Sequence, residues 1–337
     1  MIQHPKVAVV ILNWNGRIHL EQFLPSVYNS SYPNLELIIG DNASTDSSIS
    51  FLKENFPLIR IIANDKNYGF AEGYNQVLTH VDADYFILLN SDVEVTPGWV
   101  EPVIALMEKD KMIAAAQPKI RSFLHKENFE YAGAAGGFID KYGYPFCRGR
   151  IFDNLEKDHG QYDQTSEIFW ASGAALFIRK ECWLQSKGFD SRFFAHMEEI
   201  DLCWRLKLMG YKIMYCAQSS VYHLGGGTLN AENPYKTYLN FRNNLLMIKK
   251  NMPFFSSIYI LFIRLWMDLL SLIKFALEGK FRNARAINKA HIYFFKHLFA
   301  HNSEQVNAEQ FNAAGLYPGS IVWQYFIKKK KKFSDIF

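Results

Sequence analysis

Three short polar stretches concentrate carboxylates, amides and an imidazole: Asp41-Asn-Ala-Ser-Thr-Asp46, Asn90-Ser-Asp92 and Phe193-Phe-Ala-His-Met-Glu-Glu-Ile-Asp201. Such groups can grip a base, hold a cation that neutralises phosphate and accept a proton from a hydroxyl, the three requirements for moving a sugar off a nucleoside diphosphate. Asp41 can accept a hydrogen bond from the imide N–H of uracil or thymine, since an ionised carboxylate only accepts. It can equally cap a helix beginning near Thr45, as can Ser44 or Asp46. Asp92 offers a hard oxygen to Mg2+ or Mn2+ bridging two phosphates, the plainer reading being a strand-ending turn. Glu198 and Glu199 supply a general base, or stand where they do because a helix dipole favours acids in its first turn. Asp201 and Arg205, four residues apart, read as a structural ion pair. His223 precedes Gly225, Gly226 and Gly227, whose backbone can approach a ligand closely, and its imidazole can complete the cation's coordination or touch the diphosphate.

Four apolar runs must position these groups: Val7 to Leu12, Leu35 to Ile39, Ile59 to Ala63 and Tyr85 to Leu89. Helix-permitting segments such as Arg17 to Asn29 and Ser47 to Asn55 separate them, the alternation of an α/β fold with a mostly parallel sheet. Each run ends in a polar loop: Asn13-Trp-Asn-Gly16, Asp41 to Asp46, Asn67-Tyr-Gly-Phe-Ala-Glu-Gly-Tyr-Asn75 and Asn90 to Asp92. Open α/β sheets bind ligands outside the carboxyl ends of their strands, so these loops are expected to converge on one nucleotide-sized pocket. The first loop is neither a G-x-G-x-x-G nor a phosphate-cradling P-loop, which argues against a dinucleotide oxidoreductase and a P-loop enzyme. From about Phe123 to Gln164 the pattern loosens into glycine and aromatic residues, as in an insertion or mobile loop. A helix is predicted from His196 to Met209, stopping at Gly210.

With 337 residues, 49% hydrophobic and 21% charged, the chain folds rather than remaining disordered, and a net charge of +4 is too small to make nucleic acid a partner. Cys147, Cys182, Cys203 and Cys216 lack disulfide or zinc spacing and read as reduced thiols. With no secretory pattern before Val7, a cytoplasmic catalytic part is expected. Residues 231–337 read as a helical, basic and aromatic tail. Between Phe255 and Leu277, Arg264, Asp268, Ser271 and Lys274 share an arc of roughly 120°, leaving an apolar face with Phe255, Tyr259, Phe262 and Trp266. That pattern suits a helix lying in a membrane interface, or one docked on the catalytic domain. The stretch Phe281 to Phe299 and the run Lys328 to Lys332 add charges attracted to anionic headgroups.

Taken together, Val9-Val-Ile-Leu-Asn-Trp-Asn-Gly16, Asp41 to Asp46, Asn67 to Ala71 with Asn75, Leu89-Asn-Ser-Asp-Val93, Ser172-Gly-Ala174, Glu198-Glu-Ile-Asp201 and His223 resemble the family-2 glycosyltransferases of GT-A fold, especially the bacterial rhamnosyltransferase-like branch. The resemblance spans about residues 5 to 230. It implies an inverting transferase using Mg2+ or Mn2+, with Asn13, Asn15, Asp41, Asn67, Gly69, Asn75 and Asn90 at the nucleotide and Asp92 and His223 at the cation or diphosphate. Glu199, beside Glu198, would take the acceptor proton, and Trp170, Ser172, Gly173 and Phe194 would line the acceptor side. The donor implied is a nucleoside-diphosphate sugar, thymidine diphosphate rhamnose or a uridine diphosphate sugar; the acceptor is a glycan or lipid-linked glycan at the inner face of the cell membrane. Two departures stand out: asparagine opens the metal motif Asn90-Ser-Asp92, and Glu198-Glu199 replaces the family's Glu-Asp pair. Two other readings compete. A sugar-1-phosphate nucleotidyltransferase would need a basic, glycine-rich first loop, which Asn13 to Gly16 is not. A nucleotide-binding membrane scaffold without turnover is favoured only by the Glu198-Glu199 pair.

Overall fold

The structure, a computed structural model, describes residues 4–225, 233–298 and 313–337. Gly226, Gly227 and Phe299, singled out above, lie outside the described residues. The elements in chain order are β1 (Val7–Asn13), α1 (Arg17–Tyr28), β2 (Leu35–Asp41), α2 (Ser48–Asn55), β3 (Arg60–Ala63), α3 (Gly69–Leu78), β4 (Tyr85–Leu89), β5 (Val93–Val95), α4 (Glu101–Lys109) and β6 (Ile113–Ser122). There follow β7 (Gly137–Asp140), β8 (Pro145–Cys147), β9 (Arg150–Ile151), β10 (Asn154–Leu155), β11 (Ser166–Ile168), β12 (Ala175–Arg179), α5 (Lys180–Gln185), α6 (Glu198–Leu208), β13 (Lys212–His223), α7 (Pro234–Asn251), α8 (Phe254–Leu277), α9 (Phe281–Lys296) and β14 (Leu316–Tyr317).

The main sheet runs β11-β13-β6-β12-β4-β1-β2-β3, with β5 on β13. β1 pairs in parallel with both β2 and β4, and β2 with β3. β12 lies antiparallel between β4 and β6, which β13 extends in parallel. Such a sheet is covered on both faces, which is why β1 is a continuous apolar run: Ala8 and Val10 enter one core layer, and Val7, Val9 and Ile11 the other. The four expected strands and the first two helices stand within a residue or two of their predicted limits. Gly210, at φ 89°, follows α6 in the left-handed conformation that ends a helix.

Two expectations need correction. The segment from Phe123 to Gln164 is not simply a loop: β7 to β10 form a second sheet, in the order β10-β9-β8-β7-β14. Nor is the segment after residue 231 a helical tail throughout. β14 adds in parallel to β7, Ile321 is fully buried, and the Ile321 backbone N–H donates to Asp140 (2.9 Å).

α8 docks by its polar face. Arg264 and Asp268, 2% and 0% exposed, form a buried pair (3.1 Å). Tyr144 O–H donates to Asp268 (3.0 Å), His291 reaches its other oxygen (3.0 Å), and Arg264 donates to the side chain of Asn244. The apolar face points outward, with Phe255, Tyr259, Phe262, Trp266, Leu270 and Leu277 between 59% and 84% exposed. Of the two alternatives for this helix, docking on the protein is the one observed, and the docked helix presents an apolar surface outward. No helix among the described residues is long and apolar enough to cross a membrane.

Candidate active site

The first two loops are tied into one wall. Asn13, at the end of β1, donates from Nδ2 to Asp41 Oδ1 (3.1 Å) and Ser44 Oγ (3.0 Å). Asp41, 4% exposed, also accepts the Ser44 hydroxyl (2.6 Å) and backbone N–H (3.0 Å). It does not cap the next helix; α2 begins at Ser48, whose N–H goes to Asp46 (3.0 Å). Asn15, at φ 51°, accepts the N–H groups of Thr45 (2.7 Å) and Asp46 (3.2 Å) and so clamps the two loops together. The buried Oδ1 of Asn13 has no partner, leaving an acceptor beside Asp41 for a ligand donor.

The third loop is joined to the acidic helix. Asn67 Oδ1 accepts the Gly69 N–H (2.8 Å). Gly69 sits at φ 77°, and a Cβ there would lie 2.9 Å from the Phe194 carbonyl oxygen, so both conformation and space require glycine. That carbonyl accepts the N–H groups of Phe70 (2.8 Å) and Ala71 (3.1 Å), satisfying the start of α3. Asn75 is not free for a nucleotide, because its amide donates to the Phe189 carbonyl (2.8 Å) and accepts the Phe189 N–H (3.0 Å).

At the end of β4, Asp92 and His223 meet: Oδ1 to Nε2 is 3.2 Å, and the two side chains are 10% and 7% exposed. Asn90 Nδ2 lies 3.4 Å from the same imidazole nitrogen, so Asn90 stands with Asp92 and His223. Sequence reasoning missed Glu130, whose carboxylate is 3.2 Å from His223 Nδ1. It stands in the stretch of loosened pattern, where no motif marks it. Burial alone would lower the His223 pKa, but Asp92 and Glu130 on either side raise it to about 10, so the ring is a cation at neutral pH. Burial works against Asp92, yet His223 holds its carboxyl below the ordinary range.

An oxygen and an imidazole nitrogen are ligand types that Mg2+ or Mn2+ accept, and a cation there would displace the imidazole proton. Among the described residues no three His, Cys, Asp or Glu side chains stand together to hold a metal. Asp92 and His223 are thus the two side chains that would hold a cation here.

Glu198 and Glu199 open α6, directly after Met197 in the left-handed conformation. Glu198 is buried at 4% exposure, whereas Glu199 is half-buried, and its Cβ would lie 3.8 Å from one added at Gly173. Both carboxyls have a buried oxygen without a partner. Burial raises Glu199 to about 7; burial, followed by repulsion from Glu199, pushes Glu198 well above the ordinary carboxylate range. Of the two, Glu199 has the exposure and the acidity of a base working near neutrality. Asp201 makes the expected pair with Arg205 (2.8 Å) and a further one with Lys250 of α7 (2.9 Å).

The acceptor-side residues divide. Trp170 is 4% exposed, and its indole N–H donates to the Phe138 carbonyl (2.8 Å). Ser172, 2% exposed, gives its hydroxyl to the Ala132 carbonyl (2.8 Å). Both spend these polar groups on backbone carbonyls of the neighbouring loops. Gly173 adjoins Glu199, and the Phe194 ring, 36% exposed, stands edge-on to Tyr235 at 6.3 Å.

Solved structures share this architecture. GalNAc-T7 with UDP, GalNAc and Mn2+ superposes with a TM-score of 0.57 at 16% identity, over 74% of this chain and 48% of that one, about half its length. The mannosyltransferase PcManGT from Pyrobaculum calidifontis, in complex with GDP-Man and Mn2+, gives 0.54 at 15% identity, over 89% and 77%. The fold is thus GT-A. Residues 8–169 match glycosyl transferase family 2, and the chain carries a family-2 glycosyltransferase domain. Among its relatives are the N-acetylglucosaminyl-diphospho-decaprenol L-rhamnosyltransferase of Mycobacterium tuberculosis, 25% identical over 64% of this chain and 75% of that protein, and rhamnosyltransferase WbbL of Escherichia coli, 21% identical over 62% and 80%.

Proposed function

We propose that this chain is an inverting transferase that moves a sugar from a pyrimidine nucleoside diphosphate, thymidine diphosphate rhamnose or a uridine diphosphate sugar, to a hydroxyl of a glycan or lipid-linked acceptor in cell-surface polysaccharide synthesis. The observation that carries the reading is Glu199: half-buried beside Gly173, with an unpartnered oxygen, on a helix tied through Phe194 to the loop of Asn67. Two similar proteins being named rhamnosyltransferases, one for a diphospho-decaprenol acceptor, favours the substrate class.

In this mechanism Asp41 and the free Oδ1 of Asn13 receive the base, and the Asn67–Gly69 turn receives the nucleotide's sugar side. Glu199 takes the proton of the acceptor hydroxyl as its oxygen bonds to the anomeric carbon. The bond from that carbon to the diphosphate breaks on the opposite face, the electron pair leaves with the phosphate, and configuration inverts. Asp92 and His223 would hold a Mg2+ or Mn2+ ion, which supplies neutralising charge for the departing diphosphate. Titration with thymidine, uridine, guanosine and adenosine diphosphates, with and without Mn2+, tests the donor half. Pyrimidine diphosphates are expected to bind at least tenfold tighter with Mn2+, and Asp92→Ala to abolish that gain. Equal binding of all four bases, or no effect of Mn2+, would remove the roles of Asp41 and Asp92.

The membrane is proposed as the acceptor's source, on its cytoplasmic side. The outward apolar face of α8 supports this, as do Trp323, Phe326 and Ile327, all exposed, beside the run Lys328 to Lys332; Lys274 of α8 lies over the Phe326 ring at 5.6 Å. The four thiols, all unpaired, accord with a reducing compartment. The protein is expected to sediment with vesicles containing phosphatidylglycerol and to be released when Phe262 and Trp266 are both replaced by serine. Equal sedimentation of that variant would dismiss α8 as the contact.

A further inference from the structure

The segment that delivers Glu198 and Glu199 is held in an unfavourable backbone conformation. Phe194, His196 and Met197 have φ of 64°, 69° and 75°, although none is glycine, and such conformations persist only where the surroundings over-determine them. The surroundings that do so belong to α7. Asn243, fully buried, donates from Nδ2 to the carbonyls of Phe193 (2.9 Å), Ala195 (2.9 Å) and His196 (2.7 Å). Its own Oδ1 accepts the Nε–H of Arg242 (2.8 Å), which fixes the amide with its nitrogen toward the segment. Arg242 Nη2 reaches the carbonyls of Arg192 (3.0 Å) and Phe193 (2.9 Å). The intervening Phe194 carbonyl is turned the other way and caps α3. Each carbonyl from Arg192 to His196 is thus engaged, four by α7 and one by the nucleotide-side loop.

We infer that Asn243, oriented by Arg242, is a positioning residue for the transfer: it gathers the carbonyls of a strained segment so that the Glu199 carboxyl meets the acceptor hydroxyl at the anomeric carbon. This rests on Glu199 being the base. Losing the gathering point lets the segment relax toward ordinary φ values and carries Glu199 out of reach, and a misplacement of about 1 Å near a reacting centre costs on the order of a hundredfold in rate. The base side of the donor site should survive, because Asn13 and Asp41 touch neither Asn243 nor the segment, and the Phe194 carbonyl that caps α3 is not one that Asn243 holds.

The test uses the full chain and whichever of thymidine diphosphate rhamnose, uridine diphosphate glucose and uridine diphosphate N-acetylglucosamine it hydrolyses, read as nucleoside diphosphate released to water. Asn243→Ala is expected to lower kcat about a hundredfold with donor KM within threefold, and to speed amide exchange over residues 193–199 at least tenfold. Arg242→Lys, which loses the Nε–H that orients the amide, should show the same split at about a tenth of the size, and it decides the matter if Asn243→Ala does not fold. A kcat within threefold of wild type, or a fall matched by an equal rise in KM, overturns the inference. Glu199→Gln separates the two failures. If it is fully active, the base assignment falls; if it is inactive while Asn243→Ala is normal, only the positioning role falls.

Discussion

Glu199→Gln is expected to reduce kcat by about 10²–10⁴-fold, the usual worth of a positioned general base, with nucleoside diphosphate affinity unchanged within threefold. The amide keeps the shape of the side chain and cannot take the acceptor's proton. Because burial raises the Glu199 carboxyl to about 7, the wild-type rate should climb about tenfold per pH unit up to neutrality and level off above it. A flat profile between pH 5 and 7 would defeat the assignment. Stability should run the opposite way. A carboxyl whose pKa is raised by folding favours the fold while protonated. Its contribution is complete below the ordinary glutamate value, near 4.3, and is lost as pH rises through about 7. The glutamine variant should therefore melt above wild type at pH 8 and level with it at pH 4.

The largest loss of stability is expected from Asp201→Asn. Asp201 is fully buried; Oδ1 accepts the Asn251 amide (2.8 Å), and Oδ2 receives both Arg205 (2.8 Å) and Lys250 (2.9 Å). Removing its charge strips Arg205 of its only carboxylate and leaves Lys250 with Asp190 alone (2.7 Å), and breaking a buried pair in this way costs about 3–5 kcal/mol. The denaturation midpoint should fall with its slope preserved. Lys250→Met in the same chain should restore part of the loss, since the two residues share one network. Additive effects of the two substitutions would show that Lys250 and Asp201 do not depend on each other.

How much of this was legible in the sequence depended on how far apart the cooperating residues lie. β1, β2 and β4 are apolar runs buried on both faces, and each announces itself locally and ends in its own polar loop. Asp92 and His223 could be paired because each stood beside a recognisable motif. Glu130 could not, since nothing near it in sequence points toward His223 and only the fold brings it to 3.2 Å. The surroundings of Trp170 and Asn75 were hidden for the opposite reason. Both lie in motifs around the site, but their polar atoms are consumed by the backbone of Phe138 and Phe189, which spacing does not reveal. The second sheet was missed because its strands are two to four residues long, too short for an alternating pattern to declare itself. In α8 the amphipathic pattern was read correctly, but the face turned to the protein is the charged one.

That second sheet also sets a schedule for biosynthesis. Asp140, at the end of β7, is fully buried and takes an N–H from Ile321, 181 residues further along. A ribosome adding about 5–20 residues per second needs roughly 10–40 s between making the two. Throughout that interval the edge of β7 that β14 will cover lacks its neighbour.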